Sequence, residues 1–531
     1  MDEKYAEIRR KYDVDPHNGF IPDKCLERLP GYFSPWEDIA SQLARLNRTK
    51  TLVKAVKSLP LLDASQLKTP AELRRAYVIL ALIGHSYLHG PHVDYVKFYG
   101  EEAGEGGGEK GRKQGGGTRI EAEKTLREDD VTAEDDDNKH SPDDSGEDSD
   151  DSGKAQQQQQ QQQQQRGVEH HTSNEEQKQP KIVPVQLARP WWMVSSRLGI
   201  VPALTHAGCD NWNWCLIDGS KAPTLDNLRL ITKMTDEKDE DYFHLIVTAM
   251  GLRSGPLVPR CFLVQDLISE RKDAELLELM TKISECLEAF LRIFGKAKSH
   301  IRTSYFFHIH RRFLQGFVSP HFDGVIFERG ADIRDEQAAG RGGTRRRRRS
   351  KERGYKFELL SEDDNDDCNP KTVLRYKGGS AAQFLFIQML DLLLGISQPD
   401  EVKSFQEEMR YYMPREHRAF LWDYASKMKS GISLPSYVRQ RAENDGSPHG
   451  KALLKAYNDN ITKLKAFRLF HLGVAYRYIT AGEKGTGSTP WKSFLQKAAD
   501  ATSKARLPCC CMGGGGGAPC EMPHILSLAI R

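Results

Sequence analysis

The sequence has no long apolar run. Crossing a bilayer as a helix takes about 18 or more consecutive apolar residues, and no such run occurs. The amino terminus, MDEKYAEIRRKYDV, is charged and has none of the apolar core of a signal peptide. A cytoplasmic protein without membrane contact is the expectation. Cysteine is sparse, ten in 531 residues. Cys25, Cys209, Cys215, Cys261, Cys286 and Cys368 are scattered, while Cys509, Cys510, Cys511 and Cys520 flank the glycine run Gly513–Gly517. Neither pattern has the density of a disulfide scaffold or the paired spacing of a zinc site. Charge of one sign is also lacking. Lys and Arg number 77 against 74 Asp and Glu, a formal +3, so total charge gives no footprint for a nucleic-acid partner and none is expected. No regular β-alternation and no repeat of 20–50 residues is present. GEKGTGST, residues 482–489, is rich in glycine but lacks phosphate-loop spacing and follows no strand.

Hydrophobic residues make up 38% of the chain, and the shortfall is concentrated in a few segments. Residues 99–180 hold GEGGGEKGRKQGGG, acidic runs and ten glutamines, Gln156–Gln165. Such a segment buries too little apolar surface to offset its ordering entropy and reads as a disordered insertion. Residues 329–373 combine Arg345–Arg349 with SEDDNDDCNP. Five arginines suit a nuclear signal or nucleic-acid patch, but beside that acidic stretch a solvated, self-complementary loop is preferred. Residues 507–531 form the Cys/Gly-rich tail.

Between these segments the pattern is helical. In LPGYFSPWEDIASQLARL, Ile39, Leu43 and Leu46 share one face. In TPAELRRAYVILALIGHSYLHG, Thr69-Pro70 starts a buried helix and Gly90 ends it. KDAELLELMTKISECLEAFLRIFGKA is apolar at helical spacing, and GGSAAQFLFIQMLDLLLGI is too apolar for wide exposure. The expected class is all-α.

Several histidines are candidates for chemistry. His85 and His89 lie four apart on one helical face, as metal ligands or, preferably, as a buried pair near a helix end. His321-Phe322-Asp323 has the first half of a non-haem iron triad; that motif is short and normally sits on a barrel. In YMPREHRAFL, Pro414 opens a helix and His417 lies one turn inside it, before apolar Ala419, Phe420 and Leu421. A structural histidine and a ligand both remain open on these grounds.

MPREHRAFL, GGSAAQ upstream and LPGYFSPWEDIA near the start together resemble the indoleamine 2,3-dioxygenase family. SYFFHIHRRFLQGF, LARPWWMVSSRLGIVPALTHA and KGTGST are similar to further blocks of that family, in its order. The likeness covers roughly residues 1–98, 181–328 and 374–506.

The resemblance implies an all-helical fold in which a small domain, residues 1–98 and 181–232, caps a large haem b domain, residues 233–506. It implies insertion of O₂ across the indole C2–C3 bond of L-tryptophan, giving N-formylkynurenine, the entry to the kynurenine route and to NAD synthesis. A monomer, and a reductant that keeps the iron ferrous, are the corresponding expectations. His417 matches the proximal haem ligand, and Asp391 matches an acidic position on the same side. Phe243, Phe306, Phe307 and Arg311 match the substrate set. An indole wants an aromatic wall, and a carboxylate wants a guanidinium fork. Gly379, Ser380 and Ala381 match the stretch along the haem edge, where small residues admit the cofactor. Thr486 and Thr489 match a loop that closes over the site. Two positions depart from the family pattern: Val247 stands where a serine is found, and His206 where a tyrosine is found. Those departures support a second reading, a haem protein that carries or senses O₂ without efficient tryptophan oxidation.

Overall fold

The computed structural model describes residues 2–99, 178–328, 372–444, 448–479, 485 and 490–508. The described residues before 100 and after 178 group into one compact unit. The glutamine run, the arginine run and the cysteine tail lie outside the described residues, as do Thr486 and Thr489. The described chain is mostly helical, as the apolar periodicity predicts. Its strands are three residues long. Lys181–Val183 pairs in parallel with Val325–Phe327, and Trp214–Leu216 pairs antiparallel with Leu228–Leu230. The five described cysteines, Cys25, Cys209, Cys215, Cys261 and Cys286, are free thiols in buried positions.

Nine helices position the site: α1 (Asp2–Tyr12), α2 (Pro70–His89), α3 (Val185–Leu198), α4 (Lys238–Ser254), α5 (Asp273–Gly295), α6 (Leu385–Leu393), α7 (Arg415–Ser430), α8 (Pro448–Tyr478) and α9 (Trp491–Lys504). The start of α2 is fixed by a reciprocal cap. Thr69 Oγ1 accepts from the Glu72 N–H at 3.2 Å, and the Glu72 carboxylate accepts from the Thr69 N–H at 3.0 Å. Every residue of α2 from Arg75 to His89 is buried, as expected of a helix that is apolar all round. Arg75 is paired, bonding Glu37 at 2.7 Å and Thr232 at 2.8 Å, whereas both ring nitrogens of the buried His89 lack a hydrogen-bond partner among the described residues. α3 crosses α2 at Gly84, where a Cβ would lie 2.2 Å from the Trp191 ring.

α5 presents Leu276, Leu279, Met280, Ile283, Leu287 and Phe290 as one buried stripe. α8 packs along this stripe and takes α9 against another part of its surface. Asn460 of α8 donates to the Met280 carbonyl at 2.8 Å, which sets the register of the two helices.

Candidate active site

Pro414 caps α7 with an extended backbone, so His417 is the third residue of that helix. The side chain is 2% exposed, and its ring meets Phe20 edge-on at 4.9 Å between centroids. Burial holds the imidazole neutral, with its pKa pushed down to about 4. The neighbouring Asp13, through its charge and its backbone carbonyl, opposes that shift only in part. His417 Nε2 is buried with no hydrogen-bond partner among the described residues. In the tautomer protonated at Nδ1, Nε2 keeps a lone pair.

Asp13 reaches that position by ending α1 in the left-handed region, φ 54°, where aspartate is tolerated better than most residues. α1 is fastened to α7 beside it. Lys11 Nζ lies 2.8 Å and Tyr12 Oη 2.7 Å from one oxygen of Asp423. The end of the amino-terminal helix is thus held beside the histidine.

His417 lines a narrow, partly enclosed cleft of about 20 Å³, shared with Phe20, His206, Gln383, Phe384 and Met413. Gly251 also lines it, where a Cβ would come 2.5 Å from Ile21 Cδ1. The Gly379–Ala381 stretch joins the wall through Gln383. The Gln383 amide oxygen accepts from the His206 N–H at 2.9 Å, and its nitrogen donates to the Gly378 carbonyl at 3.3 Å.

Phe243 and Phe306 are brought together, with ring centroids 5.4 Å apart. Phe306 opens a five-residue π-helical bulge, Phe306–His310, immediately before Arg311, and such bulges frequently mark functional positions. Phe307 is half-buried with the Arg312 guanidinium over its ring at 5.7 Å. Arg311 is 7% exposed; burial lowers its pKa, with Arg312 adding to the effect. Val247 is half-buried against the main core. None of Phe243, Phe306, Phe307, Arg311 or Gly379–Ala381 lines the space at His417 itself.

Asp391 has other partners. Its carboxylate accepts from Arg468 at 2.6 Å and from Gln398 and Gln406 at 3.1 Å each. Among the described residues no hydrogen bond joins Asp391 to His417. The non-haem motif does not assemble either, because Asp323 pairs with Arg375 at 3.0 Å and His321 stacks on His92. His85 is a satisfied core histidine: Nδ1 faces the Phe313 carbonyl at 3.1 Å and Nε2 accepts from the Leu204 N–H at 2.8 Å.

The sequence reading missed a polar network behind the pocket. Asp210 accepts from His206 on one oxygen and from His244 on the other, each at 2.6 Å. Burial by itself would raise the Asp210 carboxyl, but His244 and His206 outweigh it and hold the group below the usual range. A signal was available, since His244 follows Phe243 directly and His310 stands four residues after Phe306.

A family model for indoleamine 2,3-dioxygenase matches residues 8–97 and 168–483. The chain belongs to the indoleamine 2,3-dioxygenase family. It is 24% identical to an indoleamine 2,3-dioxygenase of Aspergillus nanangensis, over 93% of this chain and 96% of the relative. It is 26% identical to indoleamine 2,3-dioxygenase 1 of Rattus norvegicus, over 94% and 96%. It is also 22% identical to a protein named myoglobin from Haliotis diversicolor, over 93% and 97%. Membership makes the chain one of a family of haem-dependent dioxygenases. The residues present suit a haem group: His417 is buried and neutral, and its Nε2 has no hydrogen-bond partner among the described residues.

Proposed function

We propose that this protein is a haem b enzyme that inserts O₂ across the indole C2–C3 bond of L-tryptophan to give N-formylkynurenine. The observation that carries the reading is the orphaned Nε2 of His417, since a buried imidazole nitrogen without a partner is costly unless something else binds it. Bound there, the haem iron supplies O₂ activation. His417 would hold the haem iron through Nε2, and the adjacent Asp13 would help to keep the imidazole basic.

Phe243 and Phe306 offer the aromatic wall for the indole, and Arg311 takes the substrate carboxylate. Arg311 remains a cation at neutral pH despite burial, so it attracts an anionic group more strongly than an exposed arginine does. The aromatic surroundings keep water from the reacting ring. Gly379, Ser380 and Ala381 border the cofactor edge, and Thr486 and Thr489 belong to the closing loop. In the same reading, residues 1–98 and 181–232 form a small domain over a large one, 233–506, and the protein works as a cytoplasmic monomer.

The myoglobin relative supports a second reading, an O₂ carrier on the same scaffold, in which Val247 and His206 mark a pocket released from substrate binding. Arg311 favours the enzyme, because O₂ carriage has no use for a carboxylate clamp. The deciding experiment follows the Soret band and N-formylkynurenine absorbance of the dithionite-reduced protein given L-tryptophan and air, beside His417→Ala. Product and haem in the wild type, and neither in the variant, are expected. Stable O₂ binding without product would establish the carrier. A wild-type protein that takes up no haem would overturn both readings.

A further inference from the structure

The distal aromatics enclose a second constellation that the haem chemistry does not use. Glu240 and His244 lie one turn apart on α4, and His310 closes the π-helical bulge opposite them. One ligand atom from each of the three lies within 4.8 Å of the other two, and all three residues are buried. Both ring nitrogens of His310, 0% exposed, lack a hydrogen-bond partner among the described residues, and so does Nε2 of His244, 3% exposed. Two adjacent histidines with three orphaned nitrogens form an unusual interior, because buried polar atoms are almost always paired.

We propose that Glu240, His244 and His310 form a binding site for a divalent first-row transition ion of the Zn²⁺ type. Two imidazoles and one carboxylate are a common protein donor set for such ions, with a fourth position left to water. Tetrahedral shells hold their ligand atoms about 3.4 Å apart, so the side chains need close only modestly around an ion.

The surroundings are those of a metal site. His244 Nδ1 is committed to Asp210 at 2.6 Å, which leaves Nε2 as the free lone pair, the carboxylate–histidine–metal arrangement. Glu240 is held at a fixed angle: one oxygen accepts from the Met234 N–H at 2.8 Å, the other from the Thr235 N–H and Oγ1 at 2.7 Å each. Each carboxylate oxygen has two lone pairs, so a ligand position remains. His310 is wedged between Phe243, with centroids 4.7 Å apart, and Tyr305, stacked at 5.8 Å.

Charge points the same way. Asp210 and Glu240 are 7% and 1% exposed. Among the described residues no lysine or arginine side chain hydrogen-bonds either of them; their side-chain partners are histidines and Thr235. A dication among neutral imidazoles would balance the two carboxylates. The site shares no residue with the His417 set, so it stands or falls separately from haem binding.

The test uses the full-length protein, stripped with a chelator and titrated with Zn²⁺ against a chromophoric competitor. Co²⁺ serves as a spectroscopic substitute. The wild type should bind about one equivalent more than His310→Leu in the same background, show Co²⁺ d–d bands that the variant lacks, and gain thermal stability with Zn²⁺ where the variant does not. His449→Gln, an exposed substitution elsewhere, should match the wild type. His310→Gln provides a polar replacement should the leucine variant fold poorly, and it should lose the same equivalent. Equal Zn²⁺ stoichiometry in the wild type and both His310 variants, or Co²⁺ bands that survive the substitutions, would overturn the proposal. Soret absorbance recorded on the same samples separates this result from the fate of the haem reading.

Discussion

His85 makes a sharp test of how burial sets acid stability here. It bolts α2 to two distant segments, donating from Nδ1 toward the Phe313 carbonyl at 3.1 Å and accepting at Nε2 from the Leu204 N–H at 2.8 Å. A second proton would have to go on Nε2, opposite an N–H donor, in a fully buried place. Burial accordingly pushes its pKa down from 6.5 to about 4, only partly opposed by the Phe313 carbonyl. The sign follows directly. Below the unfolded value the denatured chain binds a proton that the native state refuses, so stability falls as pH drops from 6.5 toward 4 and is complete above that window. At about 1.4 kcal/mol per unit, the full loss is about 3 kcal/mol. His85→Gln removes the titration while keeping one donor and one acceptor for the same partners. Urea unfolding of both proteins at about pH 7.5 and about pH 4.5 is the assay; the wild type should lose about 2–3 kcal/mol more than the variant. His471, also depressed to about 4 by burial, is present in both proteins and cancels. An equal acid loss in the two would refute the assignment of that stability to His85.

Two other substitutions test the packing around the site. Gly84→Ala places a Cβ 2.2 Å from the Trp191 ring and should lower stability by about 1–3 kcal/mol through overpacking, read as a fall in the urea midpoint with m unchanged. Arg468→Met strands the Asp391 carboxylate, which is 5% exposed, and should cost about 3–5 kcal/mol, whereas the double change Arg468→Met with Asp391→Leu should recover much of the loss.

The parts of the fold that sequence reveals are those with a one-dimensional signature. The Thr69–Glu72 cap and the apolar length of α2 could be read because both partners lie within one turn of chain. The buried stripe of α5 could be read from its spacing of three and four. The strand pair Lys181–Val183 with Val325–Phe327 could not, because three residues are too few to show alternation and the partner lies far along the chain. His417 was legible as a candidate from Pro414 and the apolar run behind it, and its reading as a haem ligand comes only from family resemblance.

Asp391 and Asp13 show where side-chain reasoning stops. An acidic residue on a helix near a candidate ligand invites assignment as its hydrogen-bond acceptor, and Asp391 has the right chemistry. Yet a buried carboxylate seeks a full counter-charge before a neutral N–H, and Arg468 on α8 supplies one at 2.6 Å. His417 lies instead beside Asp13, whose main-chain carbonyl opposes part of the fall in its pKa. Such an atom leaves no mark in the sequence, since every residue has one. Asp13 is placed by its left-handed φ, together with Lys11 and Tyr12 pinning the helix end to Asp423. The same logic explains why Asp210, His244, Glu240 and His310 escaped notice. Each looks ordinary in its own segment, and only the π-helical turn at Phe306–His310, which sequence periodicity does not encode, swings His310 against α4.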